Sequence, residues 1–239
     1  MTDDLTRLRW SRKPTAQQPL MGITILAVED SRFASEALRL ACMRSGARLR
    51  RADCLASARR HLSVYRPNVV LVDLGLPDGC GTELIEELCA GDVDPPVILA
   101  MSGEDAAEAD AMAAGAQGFM AKPFPGLAGF QGAILSHLPD DQHPTGPRVA
   151  ETAPIAPDDL ALQDDLTRAA EALETDRGGR SAAYAAQLLS SVAHSASDSH
   201  LAEAAQRFAR SYAAGQDLDV AHGHLQSVLA ERISERRPI

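Results

Sequence analysis

Lysine is nearly missing from this 239-residue chain, which holds only Lys13 and Lys122. The four cysteines, Cys42, Cys54, Cys80 and Cys89, form neither a C-x-x-C pair nor a recurring spacing. That pattern gives metal-binding and redox motifs nothing to stand on, and reduced thiols are the expectation. No apolar run approaches the roughly 18 residues of a membrane span, and the opening MTDDLTRLRWSRKP lacks the apolar stretch of a signal peptide. A soluble, cytoplasmic protein without a membrane partner is expected. Basic charge is also scarce where nucleic acid would need it. Residues 151–239 carry eight arginines against fourteen Asp and Glu, a net of -6 within a chain of -10. Such a region would be repelled by a phosphate backbone, which makes DNA binding an unfavoured expectation.

What is present is enough apolar material, 45% of the residues, for one full core and a smaller second one. From Ile23 onward short apolar runs alternate with helical patterns. ITILAVED, ARLRRAD, NVVLVD, VILAMS and GFMAKP read as strands, each followed by a helical stretch. Five strands alternating with five helices predict an α/β fold, a five-stranded parallel sheet wound on both faces by helices. The Arg-rich second strand reads as an edge. Residues 139–157 hold five prolines and almost no bulky apolar residue, the composition of a linker. Residues 1–19 read as a disordered tail, with Trp10 incidental to it. From Asp158 to the end every segment is helical in pattern, which predicts four amphipathic helices in an all-α bundle over 158–239.

In a parallel sheet the reactive crevice lies at the carboxyl ends of the strands. Here those ends carry Glu29 and Asp30, Asp73, Ser102 and Lys122. Crowded carboxylates repel unless a cation sits among them, and Mg²⁺ suits a few carboxylate oxygens. Transfer of a phosphoryl group to a carboxylate needs that nucleophile, a cation and further donors for the phosphoryl oxygens. Asp73, Mg²⁺, Lys122 and Ser102 would supply them.

With these residues in place, the stretch 20–138 resembles the receiver domain of bacterial two-component response regulators, a flavodoxin-like fold. The matching motifs are the acidic pair Glu29/Asp30, LVDLGLPDGCG around Asp73, MSG at Ser102 and AKPF at Lys122. The resemblance implies that Asp73 is the phosphoacceptor and that the donor is a sensor histidine kinase or histidine phosphotransfer protein. It further implies direct Mg²⁺ ligation by Asp30 and Asp73, with Glu29 acting through water and the Gly75 carbonyl as a further ligand. Ser102 and Lys122 would stabilise the phosphate, Gly103 would leave room for it, and Ser102 and Phe119 would form the switch. Coupling would run through the fourth helix, fifth strand and fifth helix. No enzymatic activity is expected beyond the receiver's part in its own phosphorylation and dephosphorylation.

The bundle is expected to bind a protein partner or a second copy of the chain. One alternative is a phosphorelay intermediate, because the region is loosely similar to a degenerate histidine phosphotransfer domain. Helical spacing puts His194 with Gln187 and Ser190 on the polar side of its helix, opposite Tyr184, Leu188 and Val192. A lysine and glycine shortly after the histidine, usual in that family, are missing from SASDS. The other alternative is a DNA-binding transcription regulator, for which the region around Arg207 and Arg210 is poor in basic charge. His222 and His224 are spaced unsuitably for a metal pair on one helix.

Overall fold

The computed structural model describes residues 13–91, 95–104, 106–124, 126–145, 155, 157–175 and 179–235. Most of the expected N-terminal tail, with Trp10, and residues 146–154 and 156 of the expected linker lie outside these residues.

Five parallel strands make the sheet: β1 (Thr24–Val28), β2 (Arg48–Ala52), β3 (Val69–Asp73), β6 (Val97–Ser102) and β7 (Gly118–Ala121). Their order is β2-β1-β3-β6-β7, with the arginine-rich β2 at one edge as its charge requires. A two-residue pair, β4 (Gly75–Leu76) and β5 (Gly79–Cys80), forms a small antiparallel hairpin directly after β3 that the sequence pattern did not reveal. The strand order reverses between β1 and β3, so the crevice opens where Asp30 and Asp73 emerge.

Alternate strand residues feed opposite faces of the sheet. Ile25, Ala27, Val69, Leu71, Leu99 and Met101 pack under α1 (Arg32–Ser45) and α5 (Gly126–Leu135). Leu26, Val28, Val70, Val72, Ile98 and Ala100 pack under α2 (Leu55–Val64), α3 (Gly81–Cys89) and α4 (Ala107–Ala113). Every residue of β3 is buried, which explains why that strand reads as an unbroken apolar run ending in a carboxylate.

A short 3₁₀ turn, Asp140–Gln142, follows α5. Four helices then form a bundle: α6 (Asp159–Thr175), α7 (Arg180–Ser195), α8 (Ser199–Ala213) and α9 (Asp219–Glu235). Each packs on two neighbours, α6 with α7 and α9, and α8 with α7 and α9. The core holds Leu162, Leu166, Leu188, Val192, Phe208 and Leu225 among others, the helical spacing legible in the sequence. One member of this core comes from elsewhere: Phe33, in the first turn of α1, is buried among the bundle's apolar side chains. Among the described residues no helix is long and apolar enough to cross a membrane.

Candidate phosphoacceptor site beneath the helical bundle

The ends of strands β1, β3 and β7 deliver four ionisable side chains to one point. Glu29, Asp30, Asp73 and Lys122 are each no more than 5% exposed. Lys122 Nζ donates to Glu29 Oε2 at 2.6 Å, to Asp73 Oδ1 at 2.9 Å and to Ser191 Oγ at 2.8 Å. All three ammonium protons are thereby used. Burial opposes the Lys122 charge, but Asp73 and Glu29 outweigh it and hold the ammonium above its ordinary range. Burial and the neighbouring Asp73 push Glu29 up to about 8, with Lys122 pulling the other way. Burial pushes Asp30 up to about 6 against the opposing hydrogen bond from Tyr184. This site therefore holds more negative charge than its present partners neutralise.

Glu29, Asp30 and Asp73 each offer a carboxylate oxygen within 4.8 Å of the others. Asp30 Oδ1 and Asp73 Oδ2 are buried and have no hydrogen-bond partner. Two buried anionic oxygens without partners are costly, and a hard divalent cation beside them would remove that cost. The residues present therefore fit Mg²⁺. Glu29 is already engaged, its Oε2 by Lys122 and its Oε1 by the Ser31 N–H at 3.1 Å, which leaves Asp30 and Asp73 as the available direct ligands.

The remaining sequence-derived residues lie around this point. Gly75 opens the β4–β5 hairpin two residues beyond Asp73. Ser102 ends β6, and its Oγ accepts the Glu104 N–H at 3.1 Å. Phe119 on β7 is half-buried against the apolar layer formed with α3 and α4. The Lys122–Pro123 peptide is cis.

The bundle lies on top of this site, and α7 forms the contact. Tyr184, Gln187, Ser191 and His194 recur at alternating three- and four-residue steps, so they line one face of α7. Each meets the end of a different strand. The Tyr184 hydroxyl donates to Asp30 Oδ2 at 2.5 Å after β1. The Gln187 side chain lies along Gly75 after β3, so close that a Cβ there would come within 2.7 Å of its Nε2. Ser191 accepts from Lys122 after β7. The His194 ring lies on Gly103 after β6, where a Cβ would come within 2.6 Å of it. Glycine at position 103 leaves room for the His194 ring, and at position 75 for the Gln187 side chain.

A second contact holds the bundle in place. Asp165 of α6 is fully buried and accepts the Ser31 hydroxyl at 2.8 Å and the Arg32 and Phe33 backbone N–H groups at 3.0 Å each. It caps the N-terminus of α1, where a carboxylate is favoured by the unsatisfied N–H groups and the helix dipole. Arg168, one turn further along α6, donates to the Asp30 carbonyl at 2.9 Å.

Two expectations from the sequence are corrected here. The polar side of α7 is turned onto the receiver rather than to solvent, so His194 is half-buried, with Nδ1 2.6 Å from the Ser190 carbonyl. The helix face lying beside Asp73 carries Gln187 at the Gly75 turn, while His194 sits two turns away at Gly103. The bundle also contacts the receiver chiefly through α1 and the β4 hairpin, not through an α4–β7–α5 surface. Asp165, Tyr184, Gln187 and Ser191 were not singled out for function, because their partners lie far upstream in sequence. Of the two histidines near the C-terminus, His222 is buried with Nε2 3.2 Å from the Leu173 carbonyl, and His224 lies edge-on to His200.

The fold and this constellation define a receiver. Residues 25–128 match the response regulator receiver domain. Among curated relatives, the KDP operon transcriptional regulatory protein KdpE of Escherichia coli (strain K12) is 31% identical over 143 residues, which is 60% of this chain and 59% of that protein. The virulence transcriptional regulatory protein PhoP of Salmonella typhi is 31% identical over 101 residues, 42% of this chain and 45% of that protein. The matches thus span about half the length of those relatives. Similar solved structures include the signal receiver domain of a response regulator from Bermanella marisrubri, 29% identical, covering 47% of this chain and 92% of that one at a TM-score of 0.41. The chemotaxis response regulator CheY4 of Vibrio cholerae is 22% identical, covering 48% and 98% at a TM-score of 0.44.

Proposed function

We propose that this protein is a cytoplasmic two-component response regulator in which Asp73 accepts a phosphoryl group and the C-terminal bundle reads the result. The observation that carries this reading is the state of the Asp73 carboxylate. One oxygen is held by Lys122 and the other is buried without a partner, at the floor of a cavity that also reaches Ser102 and Thr82. The phosphoryl donor is a sensor histidine kinase or a histidine phosphotransfer protein. One oxygen of the Asp73 carboxylate attacks phosphorus, Lys122 and the Ser102 hydroxyl take phosphoryl oxygens, and the donor nitrogen leaves with the bonding pair. Asp30 and Asp73 would hold Mg²⁺, which when bound would supply positive charge for the phosphoryl oxygens.

Readout follows from the same contacts. A phosphoryl group on Asp73 competes with Ser191 for Lys122 and adds negative charge beneath α7. The bundle is therefore biased away from its docked position, which frees the α7 face for a protein partner or a second copy of the chain. Intact mass after treatment with acetyl phosphate and Mg²⁺ tests this. Wild type and His194→Ala should gain one phosphoryl group and Asp73→Asn none. A label that survives Asp73→Asn, or requires His194, would overturn the reading.

The names of the relatives favour a second reading, a transcription regulator. Against it stands the net charge of -6 over residues 151–239. A salt-dependent mobility shift of duplex DNA by the phosphorylated chain would favour that reading instead.

A further inference from the structure

Between the acceptor site and α7 lies a cavity of about 440 Å³. Its walls include Asp73, Thr82 and Ser102 from the receiver and Gln187, Ser190 and Ser191 from α7. Gln187 is exposed to this space, and among the described residues its amide has no hydrogen-bond partner in the protein. Its side chain lies along Gly75, two residues from Asp73. An amide so placed can accept a hydrogen bond from a water through Oε1 while donating through Nε2 to a phosphoryl oxygen. That is the task of a glutamine that orients an attacking water in phosphoryl transfer.

We propose that the bundle is a built-in phosphatase element and that Gln187 positions the water that hydrolyses the phosphoryl group on Asp73. The proposal rests on Asp73 being the acceptor. In the step, the water oxygen forms a bond to phosphorus and the bond from phosphorus to Asp73 Oδ breaks. The bonding pair returns to the Asp73 carboxylate, and the water protons leave with inorganic phosphate. Lys122 and Ser102 retain the phosphoryl oxygens meanwhile, and no co-reactant other than water is needed. The docked bundle is then the resetting state and the lifted bundle the signalling state. Asp165, Arg168 and Phe33 serve the activity by returning α7 to the site.

The test measures the lifetime of the phosphorylated full-length chain. Protein is loaded with acetyl phosphate and Mg²⁺, freed of donor, and followed by intact mass and release of inorganic phosphate. Gln187→Ala should lengthen the lifetime by at least about tenfold, and Gln187→Asn should fall between Ala and wild type. Amide exchange across 180–195 in the unphosphorylated variants should match wild type, which separates loss of water positioning from loss of docking. A Gln187→Ala lifetime within twofold of wild type, or shorter, overturns the proposal while leaving Asp73 as acceptor. Slowed loss with faster exchange across α7 also overturns it, because the bundle's position and not the amide would then govern the rate. A wild-type chain that takes no label overturns the acceptor reading, and this proposal with it.

Discussion

The Tyr184 hydroxyl and Asp30 Oδ2 lie 2.5 Å apart, one on the helical bundle and the other at the carboxyl end of β1. Burial and the adjacent Asp30 hold the Tyr184 phenol well above its usual range, so it remains a donor throughout the physiological range. The hydrogen bond draws negative charge from the Asp30 carboxylate, whose other oxygen, Oδ1, is the one free to meet a cation. Tyr184→Phe should therefore bind Mg²⁺ more tightly, by about 1 kcal/mol or roughly fivefold. Calorimetric titration of Mg²⁺ into both proteins measures this directly, and equal or weaker affinity in the variant would show that the bundle does not compete for Asp30.

Asp165 is more than a surface charge. Asp165→Ala removes the acceptor of one hydroxyl and two backbone N–H groups at the start of α1, all in a buried setting. A loss of about 2 kcal/mol is expected in urea unfolding. Amide exchange should rise in the first turn of α1 and across α7 together, since Asp165 ties α6 to α1 and α6 packs on α7.

Phe33 joins the two parts by packing. Truncation to alanine leaves a void in the bundle core and should cost about 3 kcal/mol. Because Phe33 belongs to the receiver's first helix but to the bundle's core, the loss should appear as easier separation of the two parts. A urea transition that loses the bundle signal before the receiver signal is the expected result for Phe33→Ala.

Thiol chemistry offers an independent check on the fold. Cys80 and Cys89 are exposed, whereas Cys42 is buried in the layer under α1 and its thiol is pushed up to about 12 by that burial. At pH 8 a maleimide should modify Cys80 and Cys89 in the native protein and Cys42 only after denaturation. Cys80 also lines the cavity beneath α7, so its labelling should accelerate when the bundle lifts.

The cluster of Glu29, Asp30, Asp73 and Lys122 was legible in sequence because its parts stand at the ends of strands, and strand ends are marked by apolar runs. Asp73 follows VVLV, Ser102 follows VILAM, and Lys122 is one of two lysines in the chain. The bundle's four helices were legible from helical spacing for the same reason. What covers the site was not. The stripe formed by Tyr184, Gln187, Ser191 and His194 is regular, but amphipathicity alone cannot say whether a polar face meets water or a polar site. Tyr184 was counted with Leu188 and Val192 on the apolar side, and its ring does pack on the bundle core while the hydroxyl reaches outward to Asp30. Asp165 looked like one more carboxylate in an acidic region, since nothing local identifies a partner at Ser31. The glycines were the faint signal: Gly75 and Gly103 lie with Asp73 around one cavity, and each accommodates an α7 side chain.

α7 rests on the Asp73 site, and its lifting when Asp73 is phosphorylated is the proposed switch. Hydrogen exchange across residues 180–195, measured with and without acetyl phosphate and Mg²⁺ in wild type and Asp73→Asn, tests it most directly. Faster exchange on phosphorylation in wild type alone is the predicted result. Full labelling of Asp73 with α7 protection unchanged would contradict the account.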